Sequence, residues 1–194
     1  MRRNPILGPK LGLGLLLVWL CTASQATPAG GDFQLTDQHG KPWSTQSARG
    51  QVVLLSFGYT FCPDICPTTL ATINAALKQL GDDATQVQPV FVSLDPERDT
   101  PERLNEYVSW FNPRLIGLTG SAEMLGQVAD HYRVRYARVQ AADADYYTLD
   151  HSASLYLLDR QGKLAGMLPH GLPTDALVHA VEDLLREQPA PSPP

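Results

Sequence analysis

Two cysteines stand four positions apart in Phe61-Cys62-Pro63-Asp64-Ile65-Cys66-Pro67, just after an apolar run and just before a helical pattern. In a turn or a first helical turn, residues four apart lie on one side, so both sulfurs reach one point. The free N–H groups and positive dipole end of the following helix favour thiolates. Pro67 suits the first helical position, where no donor is needed. Such a pair either binds a soft metal or forms a disulfide. A bridge this local constrains the unfolded chain little, so the pair makes a poor structural staple. The prolines after both cysteines point to an exposed loop rather than to two buried hydrophobes.

Two thiolates rarely complete a site. Copper(I) is soft and content with two sulfurs and an imidazole. The chain offers His39, His131, His151, His170 and His179. His179 falls inside the last helical pattern, and His131 ends another, where a histidine suits the negative dipole end. His39 is in a turn beside Gly40, and His170 lies in the loop Pro169-His170-Gly171; solvent-facing or capping roles fit both. His151, in Asp150-His151-Ser152 directly before an apolar strand, is the strongest candidate by position, with His170 next. Asp150 is placed to bear on its imidazole.

The elements that must position these residues follow from periodicity. Residues 52–57 form a continuous apolar, β-branched run, a fully buried parallel strand. Leu70, Ile73, Ala76, Leu77 and Leu80 recur at helical spacing over 68–80, ended by Gly81. Residues 87–94 are a second buried strand. Thr100-Pro101-Glu102 caps and starts a helix running to about Trp110. A short strand at 115–118 precedes a helix from Ser121 to about His131. Residues 134–139 and 146–149 read as strands flanking an acidic, alanine-rich loop. A strand at 153–158, a turn at 159–162 and a return at 164–168 make a hairpin, followed by an amphipathic helix that Thr174 caps and that runs to Glu187. A first strand is expected at 32–35, with a turn at His39-Gly40. This alternation gives an α/β fold with a mixed, parallel-cored central sheet flanked by helices, in the thioredoxin-like arrangement. The cysteine loop then follows a central strand, at the sheet edge where ligands gather.

The ends carry a different signal. Arg2, Arg3 and Lys10 precede an uncharged, Leu-rich stretch at 11–20 and the small residues Thr22, Ala23, Ser24 and Ala26. That is the order of a secretory signal peptide over 1–26, too short in its apolar core for an ordinary membrane span. An uncleaved N-terminal anchor is the alternative. Cys21 leaves with the signal, and Trp19 and Leu20 ahead of it are not the small residues a lipidated cysteine needs. Residues 27–187 form one domain, and the Pro-rich 188–194 are expected to be disordered. The net charge is −5, and the basic residues at the start contribute to it, so the exported domain is more acidic still. No basic stripe remains for nucleic acid.

Four blocks together resemble the Sco/SenC proteins. They are Tyr59-Thr60-Phe61-Cys62-Pro63-Asp64-Ile65-Cys66-Pro67, Ser93-Leu94-Asp95-Pro96-Glu97-Arg98-Asp99-Thr100-Pro101-Glu102, Gly117-Leu118-Thr119-Gly120 and Asp150-His151-Ser152. They occur in the family's order over nearly the whole exported domain. The resemblance implies a thioredoxin fold and one copper ion held by Cys62, Cys66 and His151. It also implies a role in assembling the binuclear copper centre of cytochrome c oxidase. The partner is then the copper-centre subunit of that oxidase or another exported cuproprotein, met in the periplasm by a chain that is soluble or tethered to the membrane. The resemblance further points to Asp95 as an acid close to the copper loop; a turn residue beside Pro96 is the other reading.

The main rival is a thiol–disulfide oxidoreductase using Cys62 and Cys66 as its redox pair. Such enzymes usually place two residues between their cysteines and a cis-proline before the facing strand. This chain has three residues between them, and no proline in Thr148-Leu149-Asp150-His151-Ser152. A thiol peroxidase needs a threonine where Tyr59 stands. A structural zinc site wants four closed ligands.

Overall fold

The structure, a computed structural model, describes residues 29–140, 142 and 145–187. The signal peptide expected at 1–26, with Cys21, and the Pro-rich tail at 188–194 lie outside the described residues. As the alternation of the sequence implied, the described residues form a mixed central sheet flanked by four α-helices in a thioredoxin-like α/β arrangement.

The described residues open with β1 (Gln34–Asp37) and β2 (Pro42–Ser44), an antiparallel pair. Then come β3 (Val52–Gly58), α1 (Ile65–Leu80), β4 (Val87–Ser93), α2 (Pro101–Phe111), β5 (Ile116–Thr119) and α3 (Ala122–His131). The hairpin strands β6 (Tyr136–Val139) and β7 (Thr148–His151) follow, then β8 (Leu155–Leu158), β9 (Leu164–Leu168) and α4 (Thr174–Arg186). Among the described residues, the main sheet runs β2-β1-β5-β4-β3-β8-β9, while β6 and β7 pair only with each other. The central strands β3, β4 and β5 are parallel, and β8 and β9 are added antiparallel.

Every residue of β3 is buried, as its unbroken apolar run requires. α1 turns Leu70, Ile73, Ala76, Leu77 and Leu80 inward, the 3.6-residue stripe read in the sequence. Thr100 caps α2 by accepting from the Arg103 N–H, and Ser121 caps α3 by accepting from the Met124 N–H. Beneath the sheet, Phe33, Phe57, Tyr132 and Tyr156 pack edge-on or tilted with ring centres 5.4–5.8 Å apart.

The register aligns the two loops that matter. Gly58, the last residue of β3, pairs with Ser93, the last of β4, and the Leu94 N–H donates to the Gly58 carbonyl at 2.7 Å. The cysteine segment and the Asp95–Asp99 segment therefore leave the sheet side by side at its carboxyl edge.

Several boundaries differ from expectation. α1 starts at Ile65, so Cys66 lies inside the first helical turn rather than in the loop before it. Pro67 is tolerated there because the first-turn N–H groups have no intrahelical partner. The strand expected at 146–149 is β7 at 148–151, and it contains His151 instead of ending before it. The first strand sits at 34–37, and its short return β2 went unread. Thr174 is the first residue of α4, and Pro173 occupies the cap position with no side-chain bond.

Candidate metal centre

Cys62 closes a tight turn after β3, its N–H donating to the Tyr59 carbonyl at 3.2 Å. Cys66 follows in the first turn of α1. Phe61, Pro63 and Asp64 are exposed, as an open loop demands, but the cysteines themselves are 9% and 4% exposed. Both are free thiols. The Cys66 sulfur packs against the backbone of Gly58: a Cβ there would come within 2.5 Å of Sγ and 3.0 Å of the Phe91 ring. Glycine at the end of β3 is what lets the sulfur sit at the sheet edge.

The histidine comes from the opposite side. β7 carries His151 over the cysteines, and its ring meets the buried Tyr59 ring edge-on at 5.9 Å. His151 Nε2 lies 3.4 Å from Cys66 Sγ. Its Nδ1 lies 2.9 Å from the Ser152 carbonyl. A carbonyl only accepts, so Nδ1 carries the hydrogen and Nε2 presents its lone pair toward the sulfurs. Burial holds the His151 pKa below the usual histidine value, against smaller opposing effects of the Ser152 carbonyl and the Asp150 charge. The neutral ring is the form that ligates a metal.

Burial pushes the Cys66 thiol well up, and the adjoining Cys62 sulfur pushes it further. The protonated thiol is therefore the favoured form in the metal-free protein, with both the Cys62 sulfur and the bare Nε2 in reach of its S–H. A cation arriving here displaces that proton.

The Cys62 sulfur, the Cys66 sulfur and a His151 nitrogen all lie within 4.8 Å of one another, the one such cluster of three or more donors among the described residues. Two sulfurs and one imidazole suit a soft, low-coordinate ion. A closed tetrahedral zinc shell needs a fourth donor, which this cluster does not supply.

The other candidates fall elsewhere. His170 is exposed, its Nδ1 3.1 Å from the Thr69 hydroxyl. His179 sits against Glu182 on α4, and His131 is in the last turn of α3. Asp150 is exposed on β7 and reaches His151 only through its charge; the Ser152 carbonyl orients the ring. Asp95 is 3% exposed and bears on the site indirectly. Its carboxylate accepts from Arg98 Nε and, at 2.7 Å, from the Tyr147 hydroxyl.

Two neighbours of Asp95 escaped the sequence reading. Asp99 accepts from the Thr60 N–H at 3.0 Å, the Thr60 hydroxyl at 2.6 Å and the Ser93 hydroxyl at 2.6 Å. Arg98 lies over the Tyr147 ring at 3.7 Å and the Phe61 ring at 4.9 Å. Both stand in the block Asp95-Pro96-Glu97-Arg98-Asp99. Periodicity does not show that they face the cysteine segment.

The chain is similar to known proteins over most of its length. A family model described as SCO1/SenC matches residues 22–186. The SCO2-like protein RC0895 of Rickettsia conorii is 44% identical over 135 residues, covering 69% of this chain and 66% of its own length. The chain thus spans just under two thirds of that relative. Among solved structures, ScoI of Arabidopsis thaliana with copper bound is 39% identical, with a TM-score of 0.76 over 82% of this chain and 99% of that one. ScoI of Bradyrhizobium japonicum with copper bound is 43% identical, with a TM-score of 0.73 and the same coverage.

Proposed function

This chain belongs to the SCO1/SenC family, and we propose that it is a copper carrier that holds one copper ion on Cys62, Cys66 and His151. The observation that carries the reading is the convergence of those three donors within 4.8 Å at the carboxyl edge of the sheet. Similar proteins with copper bound support the choice of metal. The recipient is the copper-centre subunit of cytochrome c oxidase, or another exported cuproprotein, in keeping with the assembly role of the family. Export to the periplasm rests on the signal peptide expected at 1–26 from the sequence, with retention at the membrane by an uncleaved segment as the variant form. Among the described residues, no helix is long and apolar enough to cross a membrane.

In this reading copper is cargo. The protein's residues prepare the site: Ser152 fixes the imidazole tautomer, burial keeps the ring neutral, and Gly58 lets the Cys66 sulfur lie against the backbone. Phe61, beside Cys62 and 52% exposed, leaves the loop open to a recipient.

A second reading, reduction of the recipient's cysteines, is favoured by the two free thiols lying side by side. No cis peptide bond occurs among the described residues, so the usual cis-proline of thiol oxidoreductases is missing there. Metallation of a purified recipient by wild type, Cys62→Ser and His151→Ala separates the two. His151→Ala keeps both thiols. It loses copper delivery if the protein is a carrier and works normally if it is a reductase.

A further inference from the structure

The two halves of the site hang on different parts of the chain. The sulfurs sit between β3 and α1, rooted in the main sheet. The imidazole rides on the β6–β7 hairpin, which is not paired with that sheet. A displacement of about 1 Å is enough to disable a ligand constellation, so something must fix the hairpin against the sulfur segment.

Tyr59 reaches the hairpin from the sulfur segment, its ring edge-on to that of His151 at 5.9 Å, and one side chain that belongs to neither part touches both. The Arg98 guanidinium carbon lies 3.7 Å from the centre of the Tyr147 ring, 4.9 Å from that of Phe61 and 5.6 Å from that of Tyr59. Tyr147 immediately precedes β7, while Tyr59 and Phe61 lead into Cys62. Arg98 Nη1 also donates to the Tyr147 carbonyl at 2.9 Å, and its Nε donates to Asp95. Its Nη2 is buried with no hydrogen-bond partner, so stacking rather than bonding holds that end of the group.

The hairpin grips back. The Arg138 guanidinium carbon on β6 lies 3.6 Å from the same Tyr147 ring centre. Two guanidiniums cannot share one face at those distances, so the ring is sandwiched between Arg98 and Arg138. The Tyr147 hydroxyl donates to Asp95 at 2.7 Å, and Arg138 pairs with Glu97 at 3.2 Å. A flat, forked cation can stack on a ring and bond a carbonyl together; the point charge of lysine cannot.

We propose that Arg98 is the positioning residue that sets the His151 hairpin against the Cys62–Cys66 segment, and so decides whether the imidazole joins the two thiols. Only the metal readout of this proposal rests on the copper-carrier reading.

The test uses Arg98→Lys, Arg98→Gln, Tyr147→Leu and Tyr147→Phe in the full chain. In the reduced, metal-free protein, amide hydrogen exchange at 136–139 and 148–151 rises about ten-fold in Arg98→Gln, the size of a partly desolvated cation–π contact. β3 and α1 keep wild-type rates. Loaded with copper(II), Arg98→Lys and Arg98→Gln still take one ion per chain and keep sulfur-to-copper charge transfer. They lose the nitrogen coupling in the paramagnetic resonance spectrum. Tyr147→Leu does the same from the other side of the contact, while Tyr147→Phe, which keeps the ring, retains the nitrogen signal. Wild-type nitrogen coupling and hairpin exchange in Arg98→Gln overturn the proposal. So does a rise in exchange spread evenly over the whole domain, which marks a merely structural role. If the wild type takes no copper, the carrier reading fails, and the exchange measurement on the metal-free protein still decides the role of Arg98.

Discussion

The Asp99 carboxylate holds Thr60 twice over, accepting from its main-chain N–H at 3.0 Å and from its hydroxyl at 2.6 Å. Thr60 is two residues ahead of Cys62, so this pair ties the cysteine segment to the segment after β4. Asp99 is 1% exposed. Burial pushes its carboxyl up from the ordinary value, while the Ser93 and Thr60 donors pull it down. Asp99→Ala leaves three buried donors without their acceptor, and we expect a loss of about 2–4 kcal/mol in unfolding free energy. Denaturant unfolding measures it; a change within about 0.5 kcal/mol, the usual size for an inert surface position, discards this account of the clamp.

Gly58→Ala acts on the site from below. The added methyl would meet Cys66 Sγ at 2.5 Å and Phe91 at 3.0 Å, so the sulfur must move. Overpacking of this kind costs about 1–3 kcal/mol. The variant should fold, with copper affinity at least ten-fold lower because one thiol is out of place. Unchanged affinity in a competition titration against a copper(I) chelator would show that the Cys66 sulfur is free to sit elsewhere.

Much of this site was legible before any coordinates. The unbroken apolar run at 52–57 and the helical stripe from Leu70 to Leu80 are strong local signals, and they place the cysteines at a strand-to-helix junction. His151 stood out because it precedes an apolar run. What stayed hidden was contact between segments distant in sequence. Thr60 and Asp99 are 39 positions apart, and Tyr147 and Asp95 are 52 apart. No local pattern pairs them, so Asp95 drew notice while Arg98 and Asp99 in the same block did not. The burial of both sulfurs was missed for a similar reason. Prolines marked the loop as open, but the walls around the sulfurs come from β3, β4 and β7.

Copper binding should strengthen with pH. The Cys66 pKa is raised, so its proton stays bound through the neutral range and competes with the metal there. The competition fades only as pH climbs toward that raised value. The His151 pKa is lowered, so the ring is already neutral near pH 7 and adds no pH dependence until the solution turns acid. Each displaced thiol proton is worth up to about ten-fold in apparent affinity per pH unit. Titrations at a series of pH values from about 6 to 8 check the slope; a flat profile would mean that Cys66 binds no proton to be displaced.

The last prediction concerns redox gating. Cys62 and Cys66 are free thiols in the structure, close enough to share one metal ion. A disulfide between them would close a very short loop, gaining little from the entropy of the unfolded chain, so it should be readily reduced. In that oxidised form neither sulfur is available as a thiolate ligand. A carrier therefore takes one copper per chain only when reduced, and bound copper then shields both thiols from alkylation. His151→Ala should still form the disulfide and be reduced at the wild-type rate, because the imidazole is not one of the exchanging atoms. Its copper should be held orders of magnitude more weakly and its thiols alkylated faster in the presence of the metal. Mass-resolved alkylation of reduced and oxidised protein, with and without copper(I), reads all of these states together. If oxidised wild type binds copper as tightly as reduced, or if copper leaves both thiols as reactive as before, Cys62 and Cys66 are not the ligands and the pair serves electron exchange alone.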